Sequence, residues 1–264
     1  MQQQDFFARL WADYLSFAPS AQPIHALLGQ GHPIVNDHIA LRTFNTPELG
    51  LEALDPLFTH MGFVIGDHYR FAAKKLRARY YIHPDPEVPK IFISELLLEE
   101  CSPRLQELVA PLCAQVPVDA TQSPAFLASG RHWDLSFAVY EELLQESEYA
   151  AWLAALGFRA NHFTVAVNQL PGYDSVAQVN ARLKEAGYTL NTSGGEIKGS
   201  AEVMLEQSST LADRVSVSFA DGDKVIPGCF YEFAYRYPQA DGELYQGFVE
   251  ASADKIFEST DLRR

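Results

Sequence analysis

Two histidines stand at matching points of two similar segments, and together they suggest a metal site. The segments are His38-Ile39-Ala40-Leu41-Arg42-Thr43-Phe44-Asn45 and His162-Phe163-Thr164-Val165-Ala166-Val167-Asn168. Each opens on His, alternates as a strand does, and ends at Asn. Each is followed by a helix-like stretch and a small hinge, Met61-Gly62-Phe63 in the first copy and Ala186-Gly187-Tyr188 in the second. From His to hinge glycine is 24 residues in one copy and 25 in the other. A repeated βα unit with one His per copy can bring two imidazoles to one point between the copies.

Residues i, i+2 and i+4 of a strand share a face. His38, Ala40 and Arg42 therefore face together, as do His162, Thr164 and Ala166. In the late apolar run 229–235 (CFYEFAY), Phe230, Glu232 and Ala234 share a face, joined by Arg236 if the strand runs that far. Two imidazoles and one carboxylate form a facial ligand set that leaves coordination positions open and suits non-haem Fe(II), with Mn and Zn also compatible. Glu95, in Ile91-Phe92-Ile93-Ser94-Glu95, is a rival to Glu232, and the pattern alone does not choose between them. Arg42, one pleat beyond Ala40, would sit beside the metal, where a guanidinium suits a carboxylate by a two-pronged hydrogen bond. His25, His32, His60, His68, His83 and His132 show no HExxH spacing and read as structural. The stretch from Gly194 to Ser200 lacks phosphate-loop spacing, and no GxSxG elbow is present.

The elements that must position these residues follow from periodicity and breakers. Helical spacing covers 5–17, with a short helix over 22–28. A strand over 37–44 leads to a helix opening at Thr46-Pro47-Glu48, then strands at 63–65, 69–73, 76–83 and 90–97. This is a βαβββ module over about 36–98. A helical insert spans about 99–158. A second module, about 161–240, has a strand at 162–168, a helix at 175–186, and strands at 202–206, 213–219 and 229–235. Residues 246–261 read as a polar tail that packs as a helix. The expected fold class is α+β, a single domain over 1–264.

The chain's 264 residues, 47% hydrophobic, suffice for a substantial core. A formal net charge of −14 argues against non-specific nucleic-acid binding and against docking on anionic lipid. Three widely separated cysteines without CxxC spacing suggest free thiols in a reducing compartment. The beginning Met1-Gln2-Gln3-Gln4-Asp5 lacks a basic-then-apolar signal, and no apolar run reaches 18 residues. The expected location is the cytoplasm.

The chain resembles the 2-oxoadipate dioxygenase/decarboxylase family, which is related in fold to the vicinal oxygen chelate superfamily. The resemblance is carried by NDHIALRTFN around His38 and Arg42, RANHFTVAVN around His162, and PGCFYEFAYR around Glu232, within a match over about 5–250. It implies two glyoxalase-like βαβββ modules forming a curved mixed sheet around a metal site. It implies Fe(II) held by His38, His162 and Glu232, with Arg42 as the catalytic residue that grips substrate. The reaction implied is oxidative decarboxylation and hydroxylation of a 2-oxo acid with O2, by family default 2-oxoadipate to 2-hydroxyglutarate, a step in lysine breakdown. This chain is shorter than the characterised members, whose extended C-terminal region helps close the site. A cation for the substrate's second carboxylate is unassigned, with Arg79 and Lys198 as candidates. The alternatives are an O2-independent metal-dependent lyase, isomerase or hydrolase on the same scaffold, and a non-enzymatic module that binds a small acid.

Overall fold

The computed structural model describes residues 3–260. Residues 1–2 of the chain's first segment, residue 261 of the expected tail and residues 262–264 of the expected 1–264 domain lie outside the described residues. The chain opens with α1 (Gln3–Leu15) and α2 (Ala21–Gly29), followed by β1 (Asn36–Phe44), α3 (Leu51–Thr59), β2 (Val64–Phe71), β3 (Leu76–Ile82) and β4 (Lys90–Leu96). The insert supplies α4 (Pro103–Cys113), α5 (Phe137–Glu146) and α6 (Glu148–Leu156). Then come β5 (Ala160–Ala166), α7 (Val176–Glu185), β6 (Lys198–Ser200), β7 (Leu205–Ser209), β8 (Arg214–Phe219), β9 (Gly222–Pro227), β10 (Phe230–Arg236) and α8 (Glu250–Ile256). No helix among the described residues is long and apolar enough to cross a membrane.

Eight strands form one sheet in the order β2-β3-β4-β1-β5-β10-β7-β6. The order is symmetrical about the antiparallel β1–β5 contact. β1 runs parallel to β4 in one half, as β5 runs parallel to β10 in the other. The outer pairs β4–β3 and β10–β7 are both antiparallel. The repeat read from the two His segments is therefore a repeat of half-sheets, with β1 and β5 as neighbours at the centre.

Both faces of the central strands are covered, so they are buried throughout rather than alternately. On the outer face, α1 sets Trp11 and Tyr14 against Phe163, each at 4.9 Å between ring centroids. On that face α7 is held by a bond from Ser208 Oγ to Asn180 Oδ1 (2.6 Å). Serines begin α4 to α7: the hydroxyls of Ser102, Ser136, Ser147 and Ser175 accept from the backbone N–H three residues on, satisfying donors the helix cannot. α6 is buried from Tyr149 to Leu156. Its Tyr149 hydroxyl donates to Ser94 O (2.6 Å) and accepts from Thr43 N (3.1 Å), clamping β1 to β4.

The structure departs from the sequence expectation in several places: the expected strands 63–65 and 69–73 are one strand, β2, and the strands β6 and β9 were not expected. α3 begins at Leu51, after a turn in which Thr46 O accepts from Leu49 N and Gly50 N, rather than at Thr46-Pro47-Glu48. The segment 201–203 is a 3-10 turn, and the strand starts at Leu205. β8 pairs with β9 in a two-stranded hairpin outside the main sheet, so the second half-sheet takes its strands from β5, β6, β7 and β10. The last segment packs as a helix, α8, followed by a 3-10 turn at Phe257–Thr260, but it is less polar than expected in its packing: Phe248, Ala253, Ile256 and Phe257 are buried against the inner face.

Candidate metal centre

The register puts the three predicted donors on adjacent strands. Antiparallel pairing of β1 with β5 sets His38 opposite Thr164 and Ala40 opposite His162. Parallel pairing of β10 with β5 sets Glu232 opposite Thr164. Cross-strand partners share a face, so the two imidazoles and the carboxylate converge on the inner face. His38 Nε2 lies 3.6 Å from Glu232 Oε1, and His162 Nε2 lies 3.1 Å from Glu232 Oε2. The ligand atoms of the three residues all fall within 4.8 Å of one another, and all three side chains are buried. Donors at bond lengths of about 2.0–2.2 Å from one ion stand roughly 3.0–3.5 Å apart, and the two His–Glu distances of 3.1 and 3.6 Å are close to that.

The hydrogen bonds behind the donors test whether a metal fits. His38 Nδ1 bonds to Asp37 Oδ1 (2.8 Å), and His162 Nδ1 bonds to Asn161 Oδ1 (3.0 Å). Both partners are acceptors, so each ring carries its proton on Nδ1 and presents the Nε2 lone pair. The His162 lone pair faces Glu232 Oε2 at 3.1 Å; that of His38 meets the Thr164 hydroxyl at 3.1 Å and lies 3.6 Å from Glu232 Oε1. Glu232 Oε2 is buried and accepts no hydrogen bond, while Oε1 accepts from Gln207 Nε2 (2.7 Å). Acceptors turned on acceptors in a dry interior repel unless a cation stands between them. A proton serves poorly, because burial pushes the His162 imidazole down from its ordinary pKa against the pull of Glu232. Burial works to raise the Glu232 carboxyl, but the two imidazoles and Gln207 outweigh it and keep it lowered. A neutral imidazole and an ionised carboxylate suit a divalent ion.

A supporting layer fixes His38. Arg236 grips Asp37 with both prongs, Nε to Oδ2 at 2.6 Å and Nη2 to Oδ1 at 2.9 Å. Its Nη1 donates to Tyr245 O (2.9 Å) and Gly247 O (2.7 Å). Desolvation opposes ionisation of Asp37, yet Arg236 and His38 hold its carboxyl well below the usual range. The loop carrying Tyr245 and Gly247 also delivers Phe248, whose ring stands edge-on to His38 at 4.8 Å. Sequence reasoning placed Arg236 on the Glu232 face but missed Asp37, Asn161 and Gln207. The first two had a signal: each His follows an Asx residue, Asp37-His38 and Asn161-His162.

The register turns Glu95 away from the three converging side chains. It lies opposite Thr43, not Arg42, and so faces the outer side. There Oε2 accepts from Leu51 N (2.8 Å) at the start of α3, and Oε1 pairs with Arg77. The inner-face counterpart of Glu232 in the first half-sheet is Phe92, opposite Ala40 two residues after His38. The pseudo-repeat therefore supplies two histidines but one carboxylate. Arg79 also faces outward, paired with Asp55 and Glu52. Lys198 lies on the inner face, opposite Gln207.

Arg42 is buried on β1, four residues along from His38, and does not line the cavity at the three donors. Nη1 bonds to Glu148 Oε1 (3.2 Å) and Nη2 to Thr260 Oγ1 (3.2 Å), while Nε has no partner. The guanidinium lies 4.8 Å from the ring centroids of both Tyr149 and Trp152. His38, His162, Glu232, Gln207, Phe92, Phe248, Ala253, Ile256 and Phe257 enclose a cavity of about 20 Å³. That is room for about one water molecule.

The model of the 2-oxoadipate dioxygenase/decarboxylase family matches residues 16–116 and 124–242. A rice (Oryza sativa subsp. japonica) protein named 2-oxoadipate dioxygenase/decarboxylase, chloroplastic/amyloplastic, is 35% identical over 274 residues, covering 94% of this chain and 75% of its own length. The solved hydroxyglutarate synthase from Oryza sativa, in complex with 2-oxoadipate, aligns with a TM-score of 0.90 at 33% identity, over 98% of this chain and 92% of that one. A solved protein from Shewanella frigidimarina NCIMB 400, which carries a provisional hydrolase label, aligns at 0.91 and 57% identity, over 95% and 98%. With the family model covering both half-sheets, this chain belongs to the 2-oxoadipate dioxygenase/decarboxylase family.

Proposed function

We propose that this protein uses Fe(II) at His38, His162 and Glu232 to decarboxylate and hydroxylate a 2-oxo acid with O2. The family's default substrate is 2-oxoadipate, giving 2-hydroxyglutarate and CO2. The atoms balance without a further reductant: one oxygen of O2 enters the new carboxylate and the other the hydroxyl. The observation that carries the reading is the convergence of two imidazole Nε2 atoms on one buried carboxylate. The substrate class is supported by the related rice synthase, solved with 2-oxoadipate.

Bound there, Fe(II) would supply open positions for the acid's carboxylate and keto oxygens and for O2. Asp37 and Asn161 hold the imidazole protons on Nδ1, so both Nε2 atoms stay free to ligate. Gln207 occupies Glu232 Oε1 and leaves Oε2 for the ion. Arg42 would receive a substrate carboxylate along the edge where Nε lacks a partner. The phenyl rings of Phe92, Phe248 and Phe257 exclude water from the reacting end. A cavity of about 20 Å³ is smaller than a six-carbon diacid, so binding would have to widen it.

The test is O2 uptake by anaerobically Fe(II)-loaded protein on adding 2-oxoadipate. One O2 consumed per CO2 released is expected. Turnover of a 2-oxo acid that continues unchanged without O2 would replace this reading with an O2-independent metal enzyme.

A further inference from the structure

Lys90 opens β4 with no partner to match its charge. It is half-buried, and among the described residues it makes no hydrogen bond and no ion pair. Asp37 acts on it through space, but that carboxylate already holds His38 and both prongs of Arg236. Burial lowers the pKa of the ammonium, and Asp37 only partly offsets this. A cation withdrawn from water without a partner is costly unless an anion joins it. Lys90 lines a cavity of about 480 Å³, where β1 and β4 begin and β5 and β10 finish. That is the size of an ordinary small-molecule site. Asp37 and Arg236 form its wall toward the metal centre. Behind that wall Asp37 bonds to His38, and the Arg236 guanidinium lies 5.1 Å from the Phe248 ring. His38, Phe92 and Phe248 line the cavity at the three donors and not this one, so the two spaces are separate.

The wall of this cavity narrows the chemistry of what would fill it. Asn36 lines it too, and its amide Oδ1 has no hydrogen-bond partner. Asn168, in the same wall, is committed at both amide atoms to the backbone of Arg236. Lys90 and Asn36 therefore offer a cation and an acceptor without partners. Ile82, Val88 and Leu244 add apolar surface. Glu243 also lines the cavity, but it is exposed on its loop and makes no pair with Lys90, so water and salt screen its charge. Arg236 and Asp37 cancel, and Lys90 leaves one positive charge. A single carboxylate matches that charge, and a hydrogen-bond donor close to the carboxylate matches Asn36. We propose that this cavity is a second small-molecule site, for a monocarboxylic acid with an apolar body and a hydroxyl or ammonium on its second carbon. Lys90 receives the carboxylate and Asn36 accepts from the neighbouring donor. A 2-oxo acid has no donor on that carbon, so the site favours a different ligand from the one proposed for the metal centre.

The experiment is calorimetric titration of anaerobic Fe(II)-loaded protein, in saturating 2-oxoadipate, with 2-hydroxyhexanoate, norleucine and hexanoate. One equivalent of the hydroxy or the amino acid should bind, more tightly than hexanoate, and the tighter of the two names the donor. Lys90→Met should weaken that binding about tenfold or more, as expected for loss of a charged hydrogen bond, and Lys90→Arg should keep much of it. Asn36→Leu should bring the hydroxy and amino acids down to the level of hexanoate. Iron content and denaturant melts matching wild type verify the fold of each variant. Failure of wild type to bind any of the three acids, binding seen only when 2-oxoadipate is left out, or binding that survives Lys90→Met unchanged overturns the second site.

Discussion

Asp37→Asn removes one charge from a buried chain of bonds and keeps the side chain's size. In the native protein Asp37 accepts from His38 at 2.8 Å and from both prongs of Arg236 at 2.6 and 2.9 Å. An asparagine can turn its amide toward His38 Nδ1, which would favour the tautomer with the proton on Nε2, the atom needed for metal. Loss of such a partner typically weakens metal binding about 10- to 100-fold, or roughly 1.4–2.7 kcal/mol. Arg236 would also be left buried without its counter-charge. Breaking such a pair costs about 3–5 kcal/mol, and the lower end is expected because Arg236 keeps Tyr245 O and Gly247 O. Competition with a chelator under anaerobic conditions reads the first effect, and denaturant unfolding of the metal-free protein reads the second. Asn161→Ala, which removes a neutral partner, should weaken metal binding less. An Asp37→Asn protein that holds Fe(II) as tightly as wild type would refute the claim that this chain of bonds sets the ligand tautomer.

Three further outcomes are expected. Glu232→Ala should lose metal, whereas Glu95→Ala should retain it and lose about 1–3 kcal/mol of stability, through the unsatisfied N–H at the start of α3 and the lost Arg77 pair; metal content and denaturant melts of both decide. Arg42→Ala should leave iron stoichiometry intact and weaken 2-oxoadipate binding, as titration calorimetry would read; normal binding would remove Arg42 from the substrate site. Metal-free protein should lose stability as pH falls below about 6.5, because the His162 pKa is lowered in the fold and the unfolded chain takes up the proton first. The contribution is therefore fully present above the unfolded pKa and lost on acidification, with a slope of up to about 1.4 kcal/mol per pH unit. His162→Gln should flatten that part of the profile.

The convergence of His38, His162 and Glu232 was legible because it depends on strand parity and on a repeat, both local. His38 and His162 needed only the two similar segments, and Glu232 only its place in an apolar run. The choice between Glu232 and Glu95 was not legible, because it depends on pairing Thr43 with Glu95 across β1 and β4, residues far apart in the chain. Arg42 was placed on the right face, but its partners come from α6 and the C-terminal turn, and no periodicity carries that packing. The alternation in β8, buried at Val215, Val217 and Phe219, fits any half-covered strand and does not say which sheet receives it. β6 has three residues, too few to show a period. The closing segment read as polar because its apolar residues, Phe248, Ala253, Ile256 and Phe257, are spread among acidic and hydroxyl side chains.

The central claim is that one divalent ion stands among three named atoms and receives a 2-oxo acid. Anomalous diffraction from anaerobic crystals grown with Fe(II) and 2-oxoadipate tests it most directly. The account predicts a single anomalous peak about 2.1 Å from Nε2 of His38, Nε2 of His162 and a Glu232 carboxylate oxygen, with two oxygens of the acid on the same ion. Iron elsewhere in the molecule, or an acid bound away from the ion, would contradict it.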